Sequence, residues 1–269
     1  MLKKISVILM VMAGVLSCRQ VPITGRNQLI LVPASEMQTM SYAQYDQFLN
    51  ENRVVRSGEQ AAMIKRVGSR IQKAVETYMN DKGLGDRLTG FNWEFNLVDD
   101  PTVNAWCMPG GKVVFYTGIL PICQDETGVA VVMGHEIAHA VADHGAERMS
   151  QGMLAQGLQV GAGIATMQKS QAFQQIFMTS FGVGTQVGML SFSRKHESEA
   201  DELGLIFSSI AGYDPREAPK FWERMAAASG GGAPPEFLST HHSNERRIND
   251  LNAQQPKAME YYNKYKDQY

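Results

Sequence analysis

The sequence predicts an α+β fold, mainly α, with a small β-sheet, in one domain over residues 33–269. Three observations carry this. Apolar residues recur every three or four positions over long stretches, two short runs are patterned as strands, and no internal repeat divides the chain. With 269 residues, 44% of them hydrophobic and 19% charged, the chain is long enough to bury a sizeable core. A formal net charge of −2 lacks the basic face that nucleic-acid binding needs, and no phosphate-binding glycine loop is evident. Nucleic acid is not an expected partner.

Residues 1–17 precede that domain and read as a signal peptide. Lys3 and Lys4 form a basic start, and Ile5 to Leu16 is an apolar run too short to span a bilayer comfortably. The run ends in "VLSC", small Ser17 before Cys18, which resembles a bacterial lipobox with lipidation at Cys18. An ordinary secretory signal is the alternative. Residues 18–32 then read as a lipidated anchor and linker. Arg19, where an aspartate would retain the protein, resembles outer-membrane sorting, so the expected location is the bacterial periplasm, lipid-anchored to the outer membrane. In that oxidising compartment Cys107 and Cys123 are an even pair and a disulfide candidate, with two buried free thiols as the alternative.

Within the domain, residues 33–78 read as helical, with Ile64, Val67, Ile71 and Val75 at helical spacing. "GFNWEFNLVDD" alternates as a strand does. In "MPGGKVVFYTG", Gly110 and Gly111 form a turn feeding a second strand of Val113 to Tyr116. "CQDETGVAVVMGHEIAHAVADHG" opens on Asp125 and Glu126, suited to a helix N-terminus, with Gly145 as its stop. From Met149 to Ser193 the only charge is Lys169, but Gln and Ser interrupt each apolar stretch, so loosely packed helices are expected rather than a membrane span. "KHESEADELGLIFSSIAGYDP" reads as a helix ended near Gly212, and another starts at Asp214 and Pro215. "ASGGGAPPEF" reads as a flexible loop, and the Tyr- and Lys-rich tail after Pro256 as a solvated face or frayed end.

The segment "GHEIAH" carries the chemistry. His135 and His139 are one helical turn apart, so both imidazoles project from one face and can grip one Zn²⁺. Glu136 is offset by about 100° from the first, beside the ion without ligating it, where a general base for a metal-activated water belongs. Two histidines and a glutamate in an Ala/Val-rich helix would also be costly to bury without partners. A glycine and a third histidine do not follow at the metzincin positions, where Ala142 and Gly145 stand. His144, about 140° around a continuous helix from His139, reads as an ordinary exposed histidine. In "ESEAD", Glu197 and Asp201 share a helix face while Glu199 points away. Glu197 can complete a His, His, Glu set and Asp201 can hold the other nitrogen of a ligand imidazole; a surface acidic helix is the alternative.

Four motifs in order, "NAWCMPGG", "GHEIAH", "ESEAD" and "STHHSNERRI", span most of the domain. Through them the chain resembles the gluzincin peptidases of the HtpX and CAAX-prenyl-protease family, in its bacterial periplasmic lipoprotein (LoiP- and BepA-like) branch. The resemblance implies a zincin-type metallopeptidase fold, with one Zn²⁺ held by His135, His139 and Glu197, Glu136 as general base and Asp201 behind the ligands. It implies an edge strand near Lys112 to Thr117 along which substrate binds, with Asn104, Gly110, Gly111, Val113 and Phe115 as substrate-binding residues. His241 matches the family histidine that approaches the metal and Arg247 the arginine beside it, as oxyanion stabilisers or, for the histidine, as an inhibitory fourth ligand; His242 and Arg246 stay open as alternatives. The substrates implied are unfolded or misassembled envelope polypeptides. The rival reading is an envelope chaperone or assembly factor with a latent zinc site.

Overall fold

The computed structural model describes residues 18–155, 171–181, 192–228, 235–241 and 245–268. The signal-peptide reading of residues 1–17 lies outside these. The chain enters through an antiparallel hairpin, β1 (Cys18–Gln20) and β2 (Asn27–Leu29). This stretch, expected as anchor and linker, is docked: Val21 and Val32 are buried, and Arg26 reaches two buried carboxylates. The helical stretch that follows is two helices, α1 (Ala34–Glu51) and α2 (Glu59–Asp81). Between them Val54 bridges to Val98, and Gly58 takes a φ of 96° that side chains disfavour. Ile64, Val67, Ile71 and Val75 are all fully buried along α2.

A three-stranded sheet divides the core in two. Its strands are β3 (Glu94–Val98), β4 (Ala105–Met108) and β5 (Lys112–Tyr116), in the order β3-β5-β4, with β5 parallel to β3 and antiparallel to β4. The period-two alternation of strands sends Val113 and Phe115 into one apolar cluster with α2, and Val114 and Tyr116 into another with α1. Here the sequence expectation is corrected. The strand at Lys112 is central, so it offers no free edge, and Val113 and Phe115 are core residues at 0% exposure. The outer strands are β3, which Val54 bridges, and β4. "NAWCMPGG" holds a strand as well as a turn, because Gly110 and Gly111 both adopt φ of 83° and fold the chain tightly between Met108 and Lys112. Both glycines are required there on a second count, since a Cβ would fall 2.4 Å from Tyr42 at Gly110 and 2.4 Å from Trp93 at Gly111.

The helices α3 (Leu120–Cys123), α4 (Glu126–Val141), α5 (His144–Ala155), α6 (Gln171–Ser180), α7 (Arg194–Ile210), α8 (Glu217–Ala227), α9 (Glu236–Thr240) and α10 (Glu245–Tyr265) complete the described chain. Of the low-charge stretch from Met149, the described parts bury Met149, Met153, Phe173 and Phe177 in the second of these clusters, with Val114 and Tyr116. Among the described residues no helix is long and apolar enough to cross a membrane. The tail after Pro256 is neither frayed nor merely solvated: α10 runs through it, and Ala258 and Tyr265 are buried. Cys107, in β4, and Cys123, at the end of α3, are free buried thiols, not a disulfide. Each fills the core as a small apolar residue, and burial raises both thiol pKa values, which disfavours the thiolate that exchange needs.

Candidate active site

Helix α4 is started by Asp125, whose carboxylate accepts from the Thr127 and Gly128 amides at 2.8 and 3.0 Å. From Gly128 to Val141 every residue is buried, so its two histidines and glutamate lie inside the protein. Helix α7 crosses it at a point where neither has a side chain. A Cβ on Gly134 would meet the Gly204 carbonyl oxygen at 2.7 Å, and one on Gly204 would meet the His135 amide nitrogen at 2.7 Å. That backbone contact brings Asp201 and Glu197, one and two turns before Gly204, alongside His135.

Four groups converge there: His135, His139, Glu197 and His241, all buried, with their ligand atoms within 4.8 Å of one another. His135 Nε2 is 3.1 Å from His139 Nε2 and 3.6 Å from Glu197 Oε2, and His139 Nε2 is 3.4 Å from Glu197 Oε1. Donors held at about 2.0–2.1 Å by one tetrahedral Zn²⁺ stand roughly 3.3 Å apart, so this spacing fits the ion. The charge states fit too. Burial, reinforced for His135 by Arg247, holds both imidazoles well below their usual pKa and therefore neutral. Burial opposes ionisation of Glu197, but His241 and Arg247 outweigh it and keep the carboxylate charged. Glu136 lies beside the group with Oε1 buried and without a hydrogen bond among the described residues, 3.4 Å from His241 Nε2. Burial pushes its carboxyl up to about 7.

Asp201 Oδ1 stands 3.0 Å from His135 Nδ1, behind the ligand face. Arg247 binds Glu197 at 2.9 Å and Asp201 at 2.5 Å, and its guanidinium lies 3.3 Å over the Trp222 ring. Its neighbour Arg246 is exposed and pairs with Asp250, so the structure places Arg247 at the site. His241 caps the end of α9, where its Nδ1 is 3.0 Å from Glu197 Oε1 and 3.1 Å from His135 Nε2. His242 lies outside the described residues. Asn104 fixes this arrangement: its Nδ2 donates to Glu236 at 3.1 Å, and the Phe237 amide donates to the Val103 carbonyl. Thus the short helix carrying His241 is tied to the start of β4. Asn104, Ala105, Trp106 and Cys107 line a cleft together with Glu136, His139 and His241. Gly110 and Gly111 shape the β4–β5 turn and do not line this cleft.

His144 is not an exposed histidine. It is fully buried, with Nδ1 3.0 Å from His139 Nδ1 and Nε2 3.0 Å from Glu199. The continuous helix assumed from the sequence breaks at Asp143, which takes a left-handed φ of 58°, so Gly145 lies inside the next helix and His144 folds back on His139. Glu199 does point away from the ligands, but into a buried cluster with His144, Arg26 and Thr24 rather than to solvent. Arg26 also pairs with Glu147, which meets His196 at 3.1 Å. No local pattern could reveal this cluster, because its partners are up to 175 residues apart. Four of its ionisable residues, His144, Glu147, His196 and Glu199, lie on α5 and α7, and the fifth, Arg26, lies in the hairpin.

A neutral imidazole pair, a charged carboxylate and an adjacent raised-pKa acid, on two helices packed beside a small sheet, define a zincin-type metallopeptidase centre. Comparison with known proteins agrees. Residues 65–255 match the model described as peptidase family M48. The chain is 33% identical over 249 residues to the mitochondrial metalloendopeptidase OMA1 of Saccharomyces cerevisiae, covering 90% of this chain and 70% of that protein. It is 40% identical over 173 residues to OMA1 of Schizosaccharomyces pombe, covering 64% of this chain and 49% of that protein. It is 31% identical over 162 residues to the beta-barrel assembly-enhancing protease of Escherichia coli, covering 59% of this chain and 33% of that protein. The chain belongs to peptidase family M48 and is a zinc metalloendopeptidase. It spans half or less of the second and third of these relatives.

Proposed function

We propose that this chain is an endopeptidase of the bacterial cell envelope that cleaves unfolded or misassembled envelope polypeptides, with Zn²⁺ held by His135, His139 and Glu197. The observation that carries the reading is the placement of that group against the β4 edge. Strand β4 pairs only with β5 among the described residues, so its outer backbone groups can hold an extended peptide by main-chain hydrogen bonds, indifferent to side-chain identity. Bound zinc supplies a Lewis acid that polarises the scissile carbonyl and acidifies a water. Glu136, with its buried Oε1 and a pKa near neutrality, would take a proton from the attacking water and deliver it to the leaving amine. Arg247 and His241, both partners of Glu197, would stand where negative charge develops. Asp201 accepts from His135 Nδ1 and so leaves Nε2 free for the ion.

The envelope location rests on Lys3, Lys4, the apolar run and Cys18, and on likeness to the Escherichia coli protein; the mitochondrial relatives share the catalytic domain. Lipid at Cys18 would anchor the enzyme to the outer membrane. A second reading has a specific observation behind it. His241 sits among the ligands and within reach of Glu136, where a water would have to enter, which is the arrangement of a self-inhibited enzyme or a latent site in a chaperone. Casein cleavage by the full chain with zinc decides between them. The wild type should cleave and Glu136→Gln should keep its zinc but lose activity about 10²–10⁴-fold. If neither cleaves while His241→Ala does, the self-inhibited reading stands in its place.

A further inference from the structure

The two ligand imidazoles of α4 each have a second nitrogen to satisfy, and only that of His135 has been accounted for. His139 turns Nε2 toward His135 and Glu197, at 3.1 and 3.4 Å, so its Nδ1 faces the other way, to His144 Nδ1 at 3.0 Å. Proton counting then sets every tautomer in the chain. A neutral His139 that offers Nε2 to an ion carries its proton on Nδ1. His144 Nδ1 must accept it, which leaves the proton of His144 on Nε2, donating to Glu199 Oε2 at 3.0 Å. Glu199 in turn accepts from Arg26, which contacts both its oxygens at 2.9 and 3.0 Å, and from the Thr24 hydroxyl at 2.7 Å.

We infer that His144 and Glu199, with Arg26 of the N-terminal hairpin, are positioning residues for zinc: a buried hydrogen-bond chain, Glu199 to His144 to His139, that fixes the tautomer and ring orientation of the second ligand histidine. The inference rests on His139 being a zinc ligand. It gives the break at Asp143 a purpose, since only a helix interrupted there can return His144 to the preceding turn. It gives the docked hairpin one as well. Arg26 holds both Glu199 oxygens in place, so a residue from the first thirty positions supports a ligand more than a hundred residues later.

The cluster contains its own control. Arg26 grips Glu147 as it grips Glu199, with two contacts of 2.8 Å, and Glu147 likewise pairs with a buried histidine, His196, at 3.1 Å. His196 stacks on His144, and its ring partners among the described residues are His144 and Phe192 rather than a ligand imidazole. A role in packing alone predicts equal effects from Glu199→Gln and Glu147→Gln. The zinc affinity of each full-length variant is read by chelator competition, with thermal unfolding of the metal-free protein alongside. Loss of a partner that orients a ligand costs about 10–100-fold in metal affinity, so Glu199→Gln should weaken zinc about 10-fold while Glu147→Gln stays within about threefold. His144→Ala should lie at the upper end of that range, and His144→Asn, whose Oδ1 stands near the lost Nδ1 as an acceptor, should recover part of it. Equal effects of the two Glu→Gln changes, or no recovery in His144→Asn, would overturn the inference. Zinc retained in His139→Ala would instead overturn the ligand assignment beneath it.

Discussion

His135 and His139 lie one turn apart on one helix, yet they are held from behind in different ways. Behind His135 is a single carboxylate, Asp201, clamped by Arg247, and both come from the elements that also carry or face Glu197. Behind His139 the carboxylate is one residue further off, with the His144 imidazole interposed, and its arginine comes from the other end of the chain. The difference shows how much of a metal site is local. The His135 side is built from two helices that must pack to form the site at all, whereas the His139 side needs a helix break and a docked hairpin.

Four outcomes would break or sharpen that contrast. Glu197→Ala removes a group common to both sides and sets the ceiling: zinc affinity should fall by more than the ~10–100-fold of any backing residue, and equal zinc would sink the ligand assignment. Asp201→Asn comes next. Direct contact with His135 should make it cost more zinc affinity than Glu199→Gln, within the same ~10–100-fold range, and a smaller loss in chelator competition would reverse the contrast. Gly204→Ala forces a methyl to within 2.7 Å of the His135 backbone, and should lower stability to urea by about 1–3 kcal/mol as an overpacked contact. It should disturb the His135 side while the hairpin remains docked. The smallest effect concerns pH. Burial opposes ionisation of Glu147, but hydrogen bonds from His196 and Arg26 win and bring its carboxyl down to about 2. A depressed carboxylate stabilises the fold above its ordinary pKa near 4.5, and that contribution is lost as pH falls toward 2. The stability difference between wild type and Glu147→Gln should therefore shrink over that interval; a gap constant down to pH 2 would show that the pairing contributes nothing.

Much of the catalytic group was legible because it is written at helical spacing. His135 with His139, and Glu197 with Asp201, are i, i+4 pairs whose shared face follows from 3.6 residues per turn. The strand at Val113 to Tyr116 was legible from its β-branched and aromatic run, but its rank in the sheet was not. Four residues, Ala105–Met108, lie below the length at which alternation can be read, so this outer strand was hidden inside an apparent turn. His144 was misread for a related reason. Its placement depended on whether the helix continues through Asp143, and a single left-handed residue is invisible to periodicity.

The zinc-binding histidine pair, the carboxylate pair that can join it and the mainly helical class follow from residue types and their short-range spacing, since donor chemistry and helix geometry are properties of a few neighbouring residues. His241, by contrast, was reached only through the family resemblance. Which strand faces the cleft, why two cysteines stay apart as thiols, and how Arg26 comes to stand behind a histidine 113 positions later are matters of packing. Those contacts depend on elements far apart in sequence meeting in space. No pattern along the chain encodes such a meeting until burial forces each charged group to find its counterpart.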